Sequence, residues 1–281
     1  MTADKSQNKS TSIGNAIQAV LNDGLTAVLV TLMNWPPTAT PALQLGSKLL
    51  IDEAGETIGS LGDRDLDHAA AMQAAKFLAS REQTKMAKVE EFAPELSQFH
   101  GATVLFERIE AEPRLVIAGA GHVGASLARM AALIGYQVTL IDDRAEFVNR
   151  DLFASQSAPD IGLVAAEDWA ASMREAVASG RGVAVAIVTR GHKQDEDCLR
   201  AAIAANPDYI GMIGSKRRTN IVLEKLREEG VDEEKLRQVR APIGLDIGAV
   251  SPEEVALAIL AEIVAERRGG SGSPLSQWRR S

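Results

Sequence analysis

Three glycines constrain this chain more than any other feature. Gly119, Gly121 and Gly124 stand at G-x-G-x-x-G spacing between a short apolar run, Leu115 to Ala118, and an amphipathic helical pattern through Leu133. A second apolar run, Val138 to Ile141, then ends on Asp142 and Asp143. Strand, glycine turn, helix and second strand in that order predict a Rossmann unit of the dinucleotide type. Gly119 permits the tight turn, Gly121 lets backbone approach a pyrophosphate, and Gly124 lets the helix lie close on the sheet. With Ala120, His122 and Val123 they make a loop whose free amides face an anion at the helix start. Asp142 falls eighteen positions after Gly124, where a carboxylate can accept hydrogen bonds from ribose hydroxyls. The alternative is a sheet of the same type whose glycines serve packing alone.

The rest of the C-terminal half keeps an alternating strand and helix rhythm, so the expected fold is α/β, a doubly wound parallel sheet. Ile161 to Ala165 reads as a strand, Glu167 to Ser179 as a helix, and the β-branched run Val183 to Val188 as a strand covered on both faces. Ligands of such sheets collect beyond the carboxyl ends of the strands, which directs attention to two loops. The first holds Thr189, Arg190, Gly191, His192, Lys193, Gln194 and Asp195 ahead of a helix through Ala205. His192 is a candidate proton donor or phosphate partner beside Thr189, and Asp195 either orients it or caps the helix. The second loop follows the strand Tyr209 to Gly214 and presents Ser215, Lys216, Arg217 and Arg218 before a helix to Glu229. Cations at the positive end of a helix are unfavourable without a counter-anion, so this loop reads as an anion clamp rather than a solvated face. Asp246 lies between glycine turns in Ala241 to Ser251, and Ser251, Pro252, Glu253 and Glu254 form a capping box for a helix to about Arg268. Residues 269–281 are flexible by composition, a loose tail or a partner-binding one anchored by Trp278.

Residues 1–111 form a separate, smaller α+β domain in this reading, with residues 112–268 the Rossmann-type domain and Pro113 at the junction. Ser12 caps a helix carrying Ile13, Ile17, Val20 and Leu21, and Leu25 to Met33 is a buried strand. Trp35, before Pro36 and Pro37, is a loop cover or a docking surface. A hairpin spans Lys48 to Ile51 and Glu56 to Ser60, and Asp65 to Ala79 is a helix. Its acids suit the helix dipole better than a metal held with His68. Lys85 to Glu91 and Thr103 to Ile109 are two further strands.

Thirty basic against thirty-eight acidic residues, a formal charge of -8, argue against a general nucleic-acid binder. A single cysteine, Cys198, excludes an internal disulfide framework and a multi-cysteine metal site, and its place in a helix suits a small buried residue rather than a nucleophile. The polar N-terminus lacks the apolar core of a signal peptide, and no window approaches a membrane span, so the chain is read as cytoplasmic.

Four stretches in this order and spacing, GAGHVG with IDD, TRGHKQDED, YIGMIGSKRR and PIGLDIGAVSPEEVALAILAEI, resemble the XdhC/CoxI/CoxF family of accessory proteins for molybdenum hydroxylases. Residues 114–268 carry the likeness closely and the N-terminal domain loosely. Where members commonly hold a Gly-Gly-Cys patch this chain has Gly59, Ser60, Leu61, Gly62, Asp63 and Arg64, so no thiol role carries over. The resemblance implies a chaperone that binds molybdenum cofactor, as molybdopterin or its cytosine dinucleotide, and shields it during sulfuration. It then inserts the cofactor into a xanthine dehydrogenase or carbon monoxide dehydrogenase-type apoenzyme, with a cysteine desulfurase and a second copy of the chain as further partners. The cofactor-binding set so implied is Gly119 to Gly124, Asp142, Asp143, Thr189, His192, Gly214, Ser215, Lys216, Arg217, Arg218 and Asp246. A carrier must release its cargo, which sets its affinity on the order of micromolar. Two other functions stay open on the residues alone. One is an oxidoreductase binding NAD(P) or FAD, with His192 as acid and base and Asp142 reading the ribose. The other is a regulatory module that senses a nucleotide.

Overall fold

A computed structural model describes residues 3–35, 43–80, 82–148 and 161–276, with side chains from residue 13 onward. The chain divides into two compact units, Met1–Ala111 and Glu112–Ser281.

In the first unit the elements run α1 (Ala3–Asn22), β1 (Thr26–Asn34), β2 (Lys48–Asp52), β3 (Thr57–Gly59), α2 (Arg64–Leu78), β4 (Thr84–Lys88), α3 (Val89–Phe92) and β5 (Thr103–Glu110). The strands form one antiparallel sheet in the order β3-β2-β1-β5-β4. Alternation along β1 explains its unbroken apolar run. Val28, Val30 and Leu32 share a core with Leu66, Ala70, Ala74 and Phe77 of α2, whereas Ala27 and Leu29 pack with Ile13 and Val20 of α1. Both faces of the central strand are therefore dry.

Local details depart from expectation in two places, and two open choices are decided. The first helix begins at Ala3, so Ser12 lies inside it and is not its cap. The strand expected through Glu91 ends at Lys88, because Val89 turns inward, fully buried, with its amide on the Ala102 carbonyl. Trp35 is 5% exposed with its ring centroid 5.8 Å from that of Phe99, so it covers the core; Pro36 and Pro37 lie outside the described residues. The acids around His68 serve the turn. Asp63 caps α2 through the Asp65 and Leu66 amides, Asp67 accepts from Ser60 Oγ and the Leu61 amide, and His68 is exposed.

The second unit contains β6 (Arg114–Ala118), α4 (His122–Leu133), β7 (Gln137–Asp142), β8 (Ile161–Ala165), α5 (Trp169–Val177), β9 (Val183–Ile187), α6 (His192–Ala205), β10 (Tyr209–Met212), α7 (Lys216–Glu228), α8 (Glu233–Gln238) and α9 (Pro252–Arg268). Its strands are all parallel, in the order β10-β9-β6-β7-β8. Strand order reverses between β6 and β9, the topological switch point of a Rossmann sheet. The chain then returns beside β10. Met212 donates to the Arg240 carbonyl and Ile243 to that of Met212, so residues 240–243 continue the sheet.

Alternate residues of β6 point to opposite cores. Leu115 and Ile117 join Leu127 and Ala131 of α4 and Ile259 and Ile263 of α9, while Val116 and Ala118 join Met173, Cys198, Leu199 and Val222. Burial pushes the Cys198 thiol up, which keeps it a small apolar filler. The capping box at Ser251 and Glu254 forms as expected, with Pro252 at the helix start. The predicted helix from Glu167 is shorter, because Asp168 caps it and Ala178 ends it at φ 53°. Tyr209 and the Gly244 amide both donate to Glu262, which pins the loop that carries Asp246. Trp278 lies outside the described residues.

Candidate functional site

Gly119 and Gly124 take the turn and the close helix packing that the spacing predicts, and Gly121 leaves space open. Gly119 adopts φ +111°, and a Cβ there would sit 2.7 Å from the Val188 carbonyl oxygen. A Cβ on Gly124 would lie 1.8 Å from the Gly119 oxygen, so helix and strand approach as closely as backbone allows. Gly121 caps α4 at φ −65°, ψ −174°, a conformation open to any residue, and a Cβ there would meet nothing within 4 Å. Its missing side chain therefore leaves open space rather than relieving a clash. The first bond of α4 runs from the Ala125 amide to the Gly121 oxygen, and the amides of His122, Val123 and Gly124 precede it without an intrahelical acceptor. His122 is exposed and Val123 half-buried.

That open space belongs to a cleft of about 270 Å³ at the carboxyl edge of the sheet. Gly119 and Gly121 form one wall, Asp142, Asp143 and Arg144 the end beyond β7, and Val188 to Gly191 the far side, with Trp169 and Gln194 completing it.

Asp142, the acid expected to read ribose, is engaged within the protein. It is 1% exposed and fully engaged: the Ala120 amide donates at 2.7 Å, the Arg144 amide at 3.0 Å, and the Arg144 guanidinium forks onto both oxygens at 2.8 Å. Burial pushes its carboxyl up, but the guanidinium and the two amides outweigh that and hold it below the ordinary carboxylate value. Ala120, whose amide is spent on Asp142, offers a ligand no donor of its own. Asp143, its side chain 44% exposed, is the carboxylate left open at this end.

The loop after β9 is built around Asp195. This carboxylate is wholly buried, accepts from Thr189 Oγ1 at 2.6 Å, and pairs with the Arg218 guanidinium. It neither caps α6, whose cap is Gly191, nor orients His192, which stands exposed on the first turn. Thr189 lines the cleft, but its hydroxyl hydrogen is directed to Asp195. Burial raises the Asp195 carboxyl above its ordinary value against the pull of Thr189 and Arg218.

The same pairing takes one cation out of the expected anion clamp. Arg218 is committed to Asp195, Ser215 caps α7 by accepting the Arg218 amide, and Gly214 turns the chain at φ +153°. Lys216 and Arg217 are exposed and do not line the cleft. Asp246 is likewise exposed and outside it, in a loop where Gly244 and Gly248 take positive φ. The cations that do line the cleft are Arg144 and Arg190, neither in the expected set. The triplet Asp142-Asp143-Arg144 carried the signal, since an arginine directly after a strand-end acid can close back on it.

A parallel sheet whose strand order reverses near its centre, with a glycine turn over a polar cleft, defines a Rossmann-class protein. Residues 115–263, more than half of the chain, match the XdhC Rossmann domain, and residues 20–92 match the XdhC and CoxI family. The chain belongs to the XdhC and CoxI family. It is 36% identical over 160 residues to the uncharacterized protein YqeB of Escherichia coli, covering 57% of this chain and 28% of that one. It is 30% identical over 174 residues to a probable xanthine dehydrogenase subunit of Bacillus subtilis, covering 62% and 49%. It is 36% identical over 84 residues to the molybdenum cofactor insertion chaperone PaoD of Escherichia coli, covering 30% and 26%. Each match thus spans less than half the length of the relative.

Proposed function

We propose that this protein is a carrier that holds molybdenum cofactor in the cleft beside Gly121 and passes it to a molybdenum hydroxylase apoenzyme. Family membership and the names of two relatives support the class of function. One observation supports the site: the cleft is open where Gly121 lacks a side chain, and the donors around it suit a phosphorylated, planar guest. First-turn amides of α4 and the guanidinium groups of Arg144 and Arg190 suit phosphate oxygens, and the half-buried Trp169 indole suits a flat ring. The cofactor is cargo. The chain's residues bind, orient and cover it, and a moderate affinity lets transfer run downhill to a tighter apoenzyme.

The finer parts of the reading are protection during sulfuration, a cysteine desulfurase as partner, a cytoplasmic setting, and a xanthine or carbon monoxide dehydrogenase as recipient. The oxidoreductase alternative has less support, because Asp142 is closed and no described residue orients His192. Purification from cells that make molybdopterin tests the proposal. The protein is expected to carry molybdenum and pterin fluorescence, and Gly121→Val to carry neither while melting at the same temperature. An empty wild-type protein from such cells, or full loading of Gly121→Val, refutes it.

A further inference from the structure

In a Rossmann cleft the residue at the end of the second strand meets the group beyond the pyrophosphate. An open carboxylate there takes the two hydroxyls of a ribose, whereas a nearby arginine accommodates a phosphate on that ribose. Here the acid is closed and the arginine faces the cleft. Arg144 spends two of its five N–H groups on Asp142. Among the described residues the other three have no hydrogen-bond acceptor, and Asp143 is no closer than 3.8 Å. The guanidinium carbon lies 3.8 Å from the centroid of the Phe147 ring, which covers one of its faces. A carboxylate fork on one edge and an aromatic ring on one face fix this side chain before any ligand arrives. Little rotamer freedom is then left to lose on binding.

We propose that Arg144 makes the β7 end of the cleft a phosphomonoester subsite, selecting a guest that carries a phosphate where a dinucleotide would place a bare ribose diol. This deepens the carrier reading and rests on it, since it presumes that the cleft holds a phosphorylated ligand. Asp143 is the competing group. Were it to take the ribose hydroxyls, preference would run the other way.

Two probes differing only in the relevant group separate these outcomes: adenosine 2′,5′-bisphosphate and adenosine 5′-monophosphate, titrated calorimetrically into the full-length protein. The wild type is expected to prefer the bisphosphate by about tenfold or more, as a charge-assisted fork to phosphate allows. Arg144→Ala should abolish that preference or reverse it, because Asp142 is then uncovered to accept ribose hydroxyls. Should Arg144→Ala fold poorly with its buried acid unpaired, Arg144→Lys keeps a cation beside Asp142 but loses the planar fork. Its preference should fall to within about threefold of unity at an unchanged melting temperature. Equal binding of both probes by the wild type overturns the subsite while leaving the carrier reading intact. A preference for the monophosphate that disappears in Asp143→Asn also overturns it, in favour of Asp143. Binding of neither probe also overturns the subsite, while the carrier reading stands or falls on the pterin content of the purified protein.

Discussion

Alanine at Gly121 and alanine at Gly124 should have opposite consequences, although the two positions are three residues apart in one motif. At Gly124 the new Cβ would lie 1.8 Å from the Gly119 oxygen, whereas real Cβ contacts essentially never fall below 3.0 Å. Helix α4 must then move off β6 by about 1.2 Å, and both are fully packed there. Overpacking of this kind costs about 1–3 kcal/mol, and a domain of 150–250 residues loses roughly 2–4 °C of Tm per kcal/mol, so a fall of roughly 2–12 °C is expected. At Gly121 the new methyl enters open space at a backbone conformation alanine accepts. Reduced freedom of the unfolded chain contributes about 0.4–1 kcal/mol, offset by a poorer helix cap of similar size. Stability should therefore stay within about 1 kcal/mol of wild type. The methyl nevertheless stands where a phosphate would rest on the amides. Losing one hydrogen bond to a charged group costs about 1.5–3 kcal/mol, a roughly 10- to 150-fold drop in affinity. Thermal unfolding and pterin content of the purified variants measure both effects. If Gly121→Ala melts as low as Gly124→Ala, or keeps its pterin, the division of labour among the glycines is wrong.

Two further perturbations test the surroundings of the cleft. Arg218→Met strips a wholly buried carboxylate of its partner and should cost about 3–5 kcal/mol at neutral pH. The folded-state pKa of Asp195 is already raised, so protonation favours the fold below the unfolded value of about 3.9, and that support is lost as pH rises through the folded value. Without Arg218 the carboxyl rises further, so the deficit against wild type should be smallest near pH 4 and grow toward pH 7. Denaturant melts giving one deficit at both pH values would show that Asp195 does not hold this loop by charge. Lys216→Ala and Arg217→Ala, by contrast, remove exposed cations from the positive end of α7 and should change stability by less than about 0.5 kcal/mol. Pterin retention should be unaltered in both. A tenfold loss in either would put that cation back in the site.

Local pattern alone determined much of this protein. The glycine spacing, the apolar runs on either side and the capping box at Ser251 each depend on neighbours a few residues away, and each formed at or near its expected place. Chain geometry also accounts for the placement of the cleft, because a reversing parallel sheet leaves its opening at the carboxyl edge. What the pattern could not decide was which charges meet. Asp142 and Arg144 are two positions apart, but their closure depends on the end of β7 being packed away from water. Asp195 and Arg218 lie on different helices and pair only because β9 and β10 are adjacent. A buried carboxylate must be paired or neutralised, and only the tertiary structure could assign its partner. Those two pairings closed the acid expected to read ribose and took one cation out of the expected clamp. They left Arg144, supported from behind by its own acid, to line the cleft with Arg190.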